Sequence, residues 1–161
     1  MLRASFNDLR RMLNGSDPAV FWRMLRTEND LNRVAYEIRG AALAIHRALG
    51  PGCFESAYVP CLAYELKKRK LDFRQQVILG LRYEEVFVPE AYVADFIVEA
   101  SVVIEVKALE RLAAVHTRQL QTYLRLSGCP LGLLINFGAL RVLDDVVREV
   151  NNFPHGTQPH A

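Results

Sequence analysis

The sequence predicts an α/β domain built around a mixed β-sheet. Its 161 residues are 51% apolar and 24% charged, which is enough apolar material for one buried core. The hydrophobic pattern also changes period along the chain: two helical segments come first, strand-like segments follow, and a further helix precedes a continuous apolar run. This order, α-α-β-β-β-β-α-β, predicts helices packed against a sheet with parallel and antiparallel strands.

Residues 1–26 are predicted to form a helical extension ahead of the domain. Apolar residues from Leu2 to Leu13 recur at helical spacing, and Asp17-Pro18 is typical of the start of a second short helix. We expect these helices to pack on the domain or on a partner chain. At the other end, residues 151–161 are predicted to form a flexible tail.

The domain itself is predicted to span residues 27–150 and to open with two helices. The first runs from near Glu28 to Leu49 and ends at the Gly-Pro-Gly stop that follows. The second runs from about Phe54 to Lys70. Its last turn is the most basic local patch of the chain, which is either a solvated helix end or a contact for a phosphate backbone: Lys67, Lys68, Arg69 and Lys70.

Short segments rich in Val, Ile, Phe and Tyr follow, and they predict strands over 73–82, 86–88, 91–98 and 101–107. A helix is expected over 113–127. The continuous apolar run from Leu131 to Phe137 predicts a buried central strand, in which Asn136 must find hydrogen-bond partners. Residues 140–149 fit either a strand or a short helix.

Charge and cysteine content narrow the class of protein. The net charge of +2, from 20 basic and 18 acidic residues, does not by itself indicate a nucleic-acid binder. Cys53, Cys61 and Cys129 are widely spaced and odd in number, so we expect free thiols in a reducing cytoplasm rather than zinc ligands or disulfides. No apolar run reaches the roughly 20 residues of a membrane helix, and the polar N-terminus lacks a signal-peptide pattern.

Three charged residues stand out inside the otherwise apolar strands: Asp95, Glu105 and Lys107. A three-residue turn at 99–101 would gather them on one face and would put the apolar partners, Ala94 included, on the other. That register pairs Val98 with Val102, Phe96 with Ile104, Asp95 with Glu105 and Ala94 with Val106. Two carboxylates on adjacent strands suit a hard cation such as Mg²⁺ or Mn²⁺, and the lysine could orient a water or neutralise a phosphate. A solvent-facing salt-bridge cluster is the alternative interpretation.

Asp95 followed by Glu105-Val106-Lys107 resembles the PD-(D/E)XK nuclease motif, with Ala94 in place of the proline. Residues from about 28 to 143 resemble more specifically the GxxExxY family of that superfamily, through the run from Gly52 to Tyr58 that includes Glu55. Further matches are Ile45-His46, Leu49-Gly50-Pro51-Gly52, Gln76, Gln119, Tyr123 and the run from Gly132 to Gly138.

This resemblance implies a restriction-endonuclease-like core and metal-dependent hydrolysis of phosphodiester bonds in nucleic acid, with DNA ahead of RNA. It implies that Mg²⁺ or Mn²⁺ is held by Asp95, Glu105, the carbonyl of Val106 and Glu55. Lys107 would then assist the attacking water, and Gln119 would contact a water on the metal or a phosphate.

Two supporting tyrosines share helix faces with these residues, Tyr58 with Glu55 and Tyr123 with Gln119. The residues alone also allow a plainer interpretation, in which Glu55 favours the helix dipole, Gln119 lies at a polar rim and both tyrosines belong to the core.

Two other functions stay open at this point. One is a module that keeps the fold and binds nucleic acid or protein without turnover. The other is a homo-oligomeric structural protein assembled through residues 1–26.

Overall fold

The computed structural model describes residues 27–151. The predicted helical extension lies outside the described residues, and so does the predicted tail except for its first residue. That residue, Asn151, is held in place: its backbone N–H donates to the carbonyl of Pro130 at 2.9 Å, and its side-chain amide donates to the carbonyls of Leu124 and Cys129.

Three helices and five strands make up the described chain, with one 3₁₀ turn between the last two strands. They are α1 (Glu28–Leu49), α2 (Glu55–Lys68), β1 (Phe73–Tyr83), β2 (Val86–Val98), β3 (Val102–Lys107), α3 (Ala114–Ser127), β4 (Leu131–Asn136), the 3₁₀ turn (Val142–Asp145) and β5 (Val146–Val150). None of the helices within 27–151 is long and apolar enough to span a membrane.

Local chemistry explains where α1 begins and ends. Thr27 caps its start: the hydroxyl accepts the N–H of Asp30 at 3.2 Å, while the Asp30 carboxylate accepts the N–H of Thr27 at 3.1 Å. At the other end Gly50 adopts a φ of +68°, which its missing side chain permits, and its N–H donates to the carbonyl of His46.

The five strands form one mixed sheet in the order β1-β2-β3-β4-β5. Only the β3–β4 pair is parallel, because α3 carries the chain back across the sheet between them. Helices α1 and α2 cover one face and α3 covers the other, so that β3 and β4 are buried on both sides. The predicted α/β class, the mixed sheet and the buried central strand are therefore confirmed.

Two strand predictions need correction. The segments 86–88 and 91–98 form the single strand β2, because the register shifts between Leu79 and Leu81 and Pro89 falls in that irregular stretch, where its missing N–H costs no ladder bond. Residues 140–149, predicted as either a strand or a short helix, contain one of each, and neither begins before Val142. They form the 3₁₀ turn and then β5, an edge strand that pairs with β4.

The predicted β2–β3 register is confirmed for Val98 with Val102, Ile97 with Val103 and Phe96 with Ile104. The pairing then ends, so the expected partners Asp95/Glu105 and Ala94/Val106 are not paired. The Asp95 carboxylate instead accepts the N–H of Val106. Ala94 also packs on the α3 side of the sheet, whereas Phe96 packs on the side of α1 and α2, so the alternation of side chains along β2 is interrupted at Asp95. Gln76 of β1 lies between the partners of Ala94 and Phe96 and has a φ of +49°.

Candidate metal centre

The C-terminal half of β3 carries a buried ion pair. Glu105 and Lys107 are two residues apart on the strand, so their side chains leave the same face. The Lys107 ammonium donates to Oε1 of Glu105 at 2.7 Å, and the two side chains are only 15% and 5% exposed. Of the salt-bridge cluster considered from the sequence, the Glu105–Lys107 pair is therefore present, and it is largely shielded from solvent.

The carboxylate of Asp95, on β2, is held by hydrogen bonds from both neighbouring strands. Its Oδ2 accepts the backbone N–H of Val106 at 2.8 Å, and its Oδ1 accepts the side-chain amide of Gln76 at 3.3 Å. Gln76 lies on β1 in the left-handed region of backbone space, which non-glycine residues rarely adopt and which often marks functional sites. The strained residue thus supplies one of the two hydrogen bonds that orient Asp95.

Glu55 reaches the same lysine from α2. Its Oε2 lies 3.9 Å from the Lys107 nitrogen, and its side chain is 44% exposed. The turn before it is held by Tyr58, whose hydroxyl donates to the carbonyl of Gly50 at 2.7 Å and accepts the N–H of Cys53 at 3.2 Å. The Tyr58 ring stacks on Phe137 with centroids 4.5 Å apart, so this tyrosine both belongs to the core and sets the start of α2.

Helix α3 closes the far side of the cluster. Gln119 donates a hydrogen bond to the hydroxyl of Tyr123, and Tyr123 meets Tyr92 of β2 edge to face. Burial, followed by the negative charge of Glu105, raises the pKa of Tyr123 to about 12. Tyr123 therefore stays neutral beside the carboxylates, while the amide of Gln119 contacts the tyrosine and not the acids.

The cluster holds more negative than positive charge. Burial raises the pKa of Glu105 to about 7, opposed by the hydrogen bond from Lys107 and reinforced by the charge of Asp95. For Lys107, burial would lower the pKa, but the contact with Glu105 and the neighbouring carboxylates outweigh it and raise the pKa. Oε2 of Glu105 is buried and has no hydrogen-bond partner among the described residues. An anionic oxygen in that position favours a nearby cation.

Comparison with known proteins bears on this geometry. A family model described as the PD-(D/E)XK nuclease superfamily matches residues 32–150, which is most of the chain and includes every residue of the cluster. The chain belongs to the PD-(D/E)XK nuclease superfamily. No curated protein and no solved structure matches it. The superfamily match together with the mixed sheet establishes the predicted restriction-endonuclease-like fold, while the narrower GxxExxY family stays a resemblance.

Members of the PD-(D/E)XK superfamily typically use divalent metal ions, and the cluster offers suitable oxygen donors. Within residues 27–151, no group of three or more His, Cys, Asp and Glu side chains converges closely enough to hold a metal. Asp95 and Glu105 are two anchored carboxylates, and the partnerless Oε2 of Glu105 is an oxygen that a cation would satisfy. The residues therefore fit an ion such as Mg²⁺, which commonly binds one or two carboxylates and retains several waters.

The basic patch at the end of α2 lies away from this cluster. Glu55 begins the helix and Lys67 lies near its end, so the two are roughly 18 Å apart along the axis at 1.5 Å per residue. Arg69 is engaged by Glu65 and by Glu37 of α1, the latter at 3.7 Å, and Lys68 lies 3.5 Å from Glu65. Lys67 and Lys70 are exposed. Arg69 thus joins two helices, and the patch is separate from the metal centre.

Asn136 has the hydrogen-bond partners that its place in a buried strand was expected to require, and the structure identifies them. Its amide oxygen accepts the N–H groups of Leu109 and Gly138, and its nitrogen donates to the carbonyl of Leu109 at 2.9 Å and to Asp145 at 2.6 Å. A side chain on Gly138 would come within 2.3 Å of the Leu109 carbonyl oxygen. These contacts hold the loop directly after Lys107. In the sequence, the feature that points to this role is a polar residue, Asn136, in an apolar strand with Gly138 two residues later.

Proposed function

We propose that this protein is a Mg²⁺- or Mn²⁺-dependent nuclease that hydrolyses phosphodiester bonds, with DNA as the preferred substrate. One observation carries the proposal: a buried Glu105, paired with Lys107 and beside the anchored Asp95, keeps one oxygen without a hydrogen-bond partner within residues 27–151. A purely structural ion pair gains nothing from such an oxygen, whereas a metal ligand requires it. The preference for DNA rests on the GxxExxY resemblance.

Asp95 and Glu105 would hold the metal, with Glu55 and the carbonyl of Val106 as further proposed ligands. The bound ion would polarise the phosphate and lower the pKa of an attacking water. Lys107 has a raised pKa and is an ammonium at neutral pH, so its role is to donate hydrogen bonds to a phosphate oxygen or a water. It would orient and neutralise, and it would not abstract a proton.

Gln119 and the supporting tyrosines complete the proposed site. Gln119 uses one amide hydrogen on Tyr123 and retains a second amide hydrogen for a phosphate or a water. Tyr123 stays neutral near Glu105, so it supports Gln119 without adding charge to the site. Lys67, Lys68 and Lys70 are proposed to contact the nucleic-acid backbone away from the reacting bond.

The proposed compartment is the cytoplasm. Cys53, Cys61 and Cys129 are the three cysteines of the sequence, and all are free thiols. Unpaired thiols favour a reducing compartment.

A cleavage assay with matched variants tests the activity. Wild type should cut single- or double-stranded DNA with Mg²⁺ or Mn²⁺ and lose activity in EDTA. Lys107→Met should slow cleavage by roughly 10²-fold or more, because charge stabilisation at the reacting phosphate is lost. Arg33→Met, which removes a positive charge from the exposed side of α1, is the control and should cleave at the wild-type rate.

The second candidate function is a nucleic-acid-binding module without turnover, favoured by the lack of a third converging carboxylate within residues 27–151. If wild type and Lys107→Met bind DNA or RNA equally and neither cuts any substrate in either metal, the nuclease proposal is wrong and the binding module stands.

A further inference from the structure

The β1–β2 hairpin extends beyond the core as an arm, defined here as residues 78–93. Eight of the fifteen exposed large apolar residues in the described chain lie in these 16 positions. They are Ile78, Leu81, Tyr83, Val86, Phe87, Val88, Tyr92 and Val93. Scattered exposed apolar residues are ordinary on a protein surface, but a contiguous patch of this kind marks an interaction site.

Both faces of the arm are apolar. The register pairs Ile78 with Val93 on one face, and Leu81 with Val88 and Tyr83 with Val86 on the other. A hairpin that faces water on one side would alternate apolar and polar residues. The arm therefore has the pattern of a strand pair that is covered on both sides, although in the described chain it is covered only at its base.

The arm is also structured in advance of any contact. The ring of Phe87 packs against Gly80 so closely that an added Cβ would lie 2.9 Å from it. The Arg82 guanidinium stacks over the same ring, 5.3 Å from its centroid. At the base, Tyr92 packs on Tyr123 of α3. A stiff arm loses little conformational freedom on association.

An open strand edge adds a second reason for association. β1 is the first strand in the sheet order, and among the described strands it pairs only with β2. Long apolar edge strands are templates for pairing with another chain, and proteins usually protect them with short length, lysines or prolines. β1 has 11 residues and contains neither lysine nor proline.

Charge and area decide what covers the arm. Arg82 against Glu84, Glu85 and Glu90 gives the arm a formal charge of 1 − 3 = −2, which disfavours a nucleic-acid backbone. The eight exposed residues present roughly 800 Å² of surface over the two faces together, so a second arm that covers one face buries about half of it, the size of a weak and reversible protein interface. The second copy of a chain supplies an identical apolar arm with the same open edge.

We propose that the arm is the interface of a homodimer, in which the arm of one copy packs against the arm of a second. This inference does not depend on the nuclease proposal. It places assembly at β1 and β2, whereas the sequence alone left assembly through residues 1–26 as one open alternative. Because the two arms carry like charge and apolar surface, added salt should strengthen the dimer, whereas it weakens nucleic-acid binding.

Sedimentation velocity on the full chain at about 1 to 100 μM tests the proposal. Wild type should approach twice the 18.3 kDa chain mass. Val86→Asp and Ile78→Asp, one on each face, should each raise the dimer dissociation constant about tenfold or more, since each buries a charge in the interface. Leu140→Asp changes a more exposed apolar residue outside the arm and should leave the constant within about twofold.

Amide hydrogen exchange distinguishes a second copy of the chain from the chain's own residues 1–26 as the segment that covers the arm. In the homodimer, protection of the arm, residues 78–93, should increase with protein concentration. A monomer at about 100 μM would overturn the proposal. So would protection of the arm that is independent of concentration and lost on deletion of residues 1–26, because the chain's own N-terminal segment would then cover it. Unchanged circular dichroism of the arm variants would establish that they remain folded.

Discussion

The carboxylate of Asp95 accepts the backbone N–H of Val106 at 2.8 Å, where the antiparallel pairing of β2 with β3 ends. Beyond the last paired residues, Phe96 and Ile104, the Asp95 side chain takes the place of a backbone carbonyl as the acceptor for an N–H of β3. Val106 is fully buried, so its N–H needs this acceptor. Asp95 therefore satisfies the backbone of β3 and also presents a carboxylate beside Glu105.

Two substitutions of Asp95 separate its hydrogen bond to the Val106 N–H from its proposed role as a metal ligand. Asp95→Asn keeps an oxygen for the Val106 N–H, so its free energy of unfolding should stay within about 1 kcal/mol of wild type. Asp95→Ala leaves that N–H unpaired and should cost about 1–3 kcal/mol more. Both should lose Mn²⁺ binding, measured by calorimetry alongside urea unfolding. Equal stability of the two variants would contradict the structural task.

Glu105 should make the metal-free protein less stable at alkaline pH. Its pKa is about 7 in the folded chain against 4.5 for the ordinary carboxyl, so the folded state holds a proton that the unfolded state has released. This contribution is fully present below pH 4.5 and is lost as pH rises through about 7, and its full size is on the order of 3 kcal/mol.

Glu105→Gln isolates this effect from the titration of other carboxyls. In EDTA, the variant should be similar to wild type at pH 5 and more stable at pH 8, as measured by urea unfolding at both values. A difference between the two proteins that does not change with pH would show that Glu105 is ordinary.

Gln76 should lower the stability of the fold and support cleavage. Its φ of +49° suits glycine, so Gln76→Gly should leave stability unchanged or raise it by up to about 1 kcal/mol. The same change removes the hydrogen bond to Asp95, and cleavage should slow several-fold. Gln76→Ala removes the bond and keeps the strain, so it should be the less stable of the two. Full activity in both variants would exclude a role for Gln76 in orienting Asp95.

Tyr58 should act on catalysis through Glu55. Tyr58→Phe removes the hydrogen bonds to Gly50 and Cys53, which should cost about 1–3 kcal/mol and loosen the start of α2. If its effect on cleavage runs through Glu55, Tyr58→Phe should slow wild type but add nothing in a Glu55→Gln background. If the losses of cleavage rate add up in the double variant, Tyr58 does not act through Glu55, and its role is in the packing of the core.

The alternation of side chains predicted the contact between Glu105 and Lys107, because both residues interrupt a strand that is otherwise apolar. It failed at Ala94, because the alternation along β2 is interrupted at Asp95, and a period-two pattern cannot report such an interruption. The partners of Asn136 and the contact between Arg69 and Glu37 join residues distant in sequence, which no local pattern reports. The exposed arm was visible only as strand propensity, because exposure depends on which elements distant in sequence pack against a strand.

Crystals grown with Mn²⁺ test the central claim most directly, because the anomalous signal locates the ion without reference to activity. We predict a peak within about 2.5 Å of carboxylate oxygens of both Asp95 and Glu105, including the Oε2 that lacks a partner. A Mn²⁺ peak bound elsewhere on residues 27–151, with none at these two carboxylates, would contradict the account.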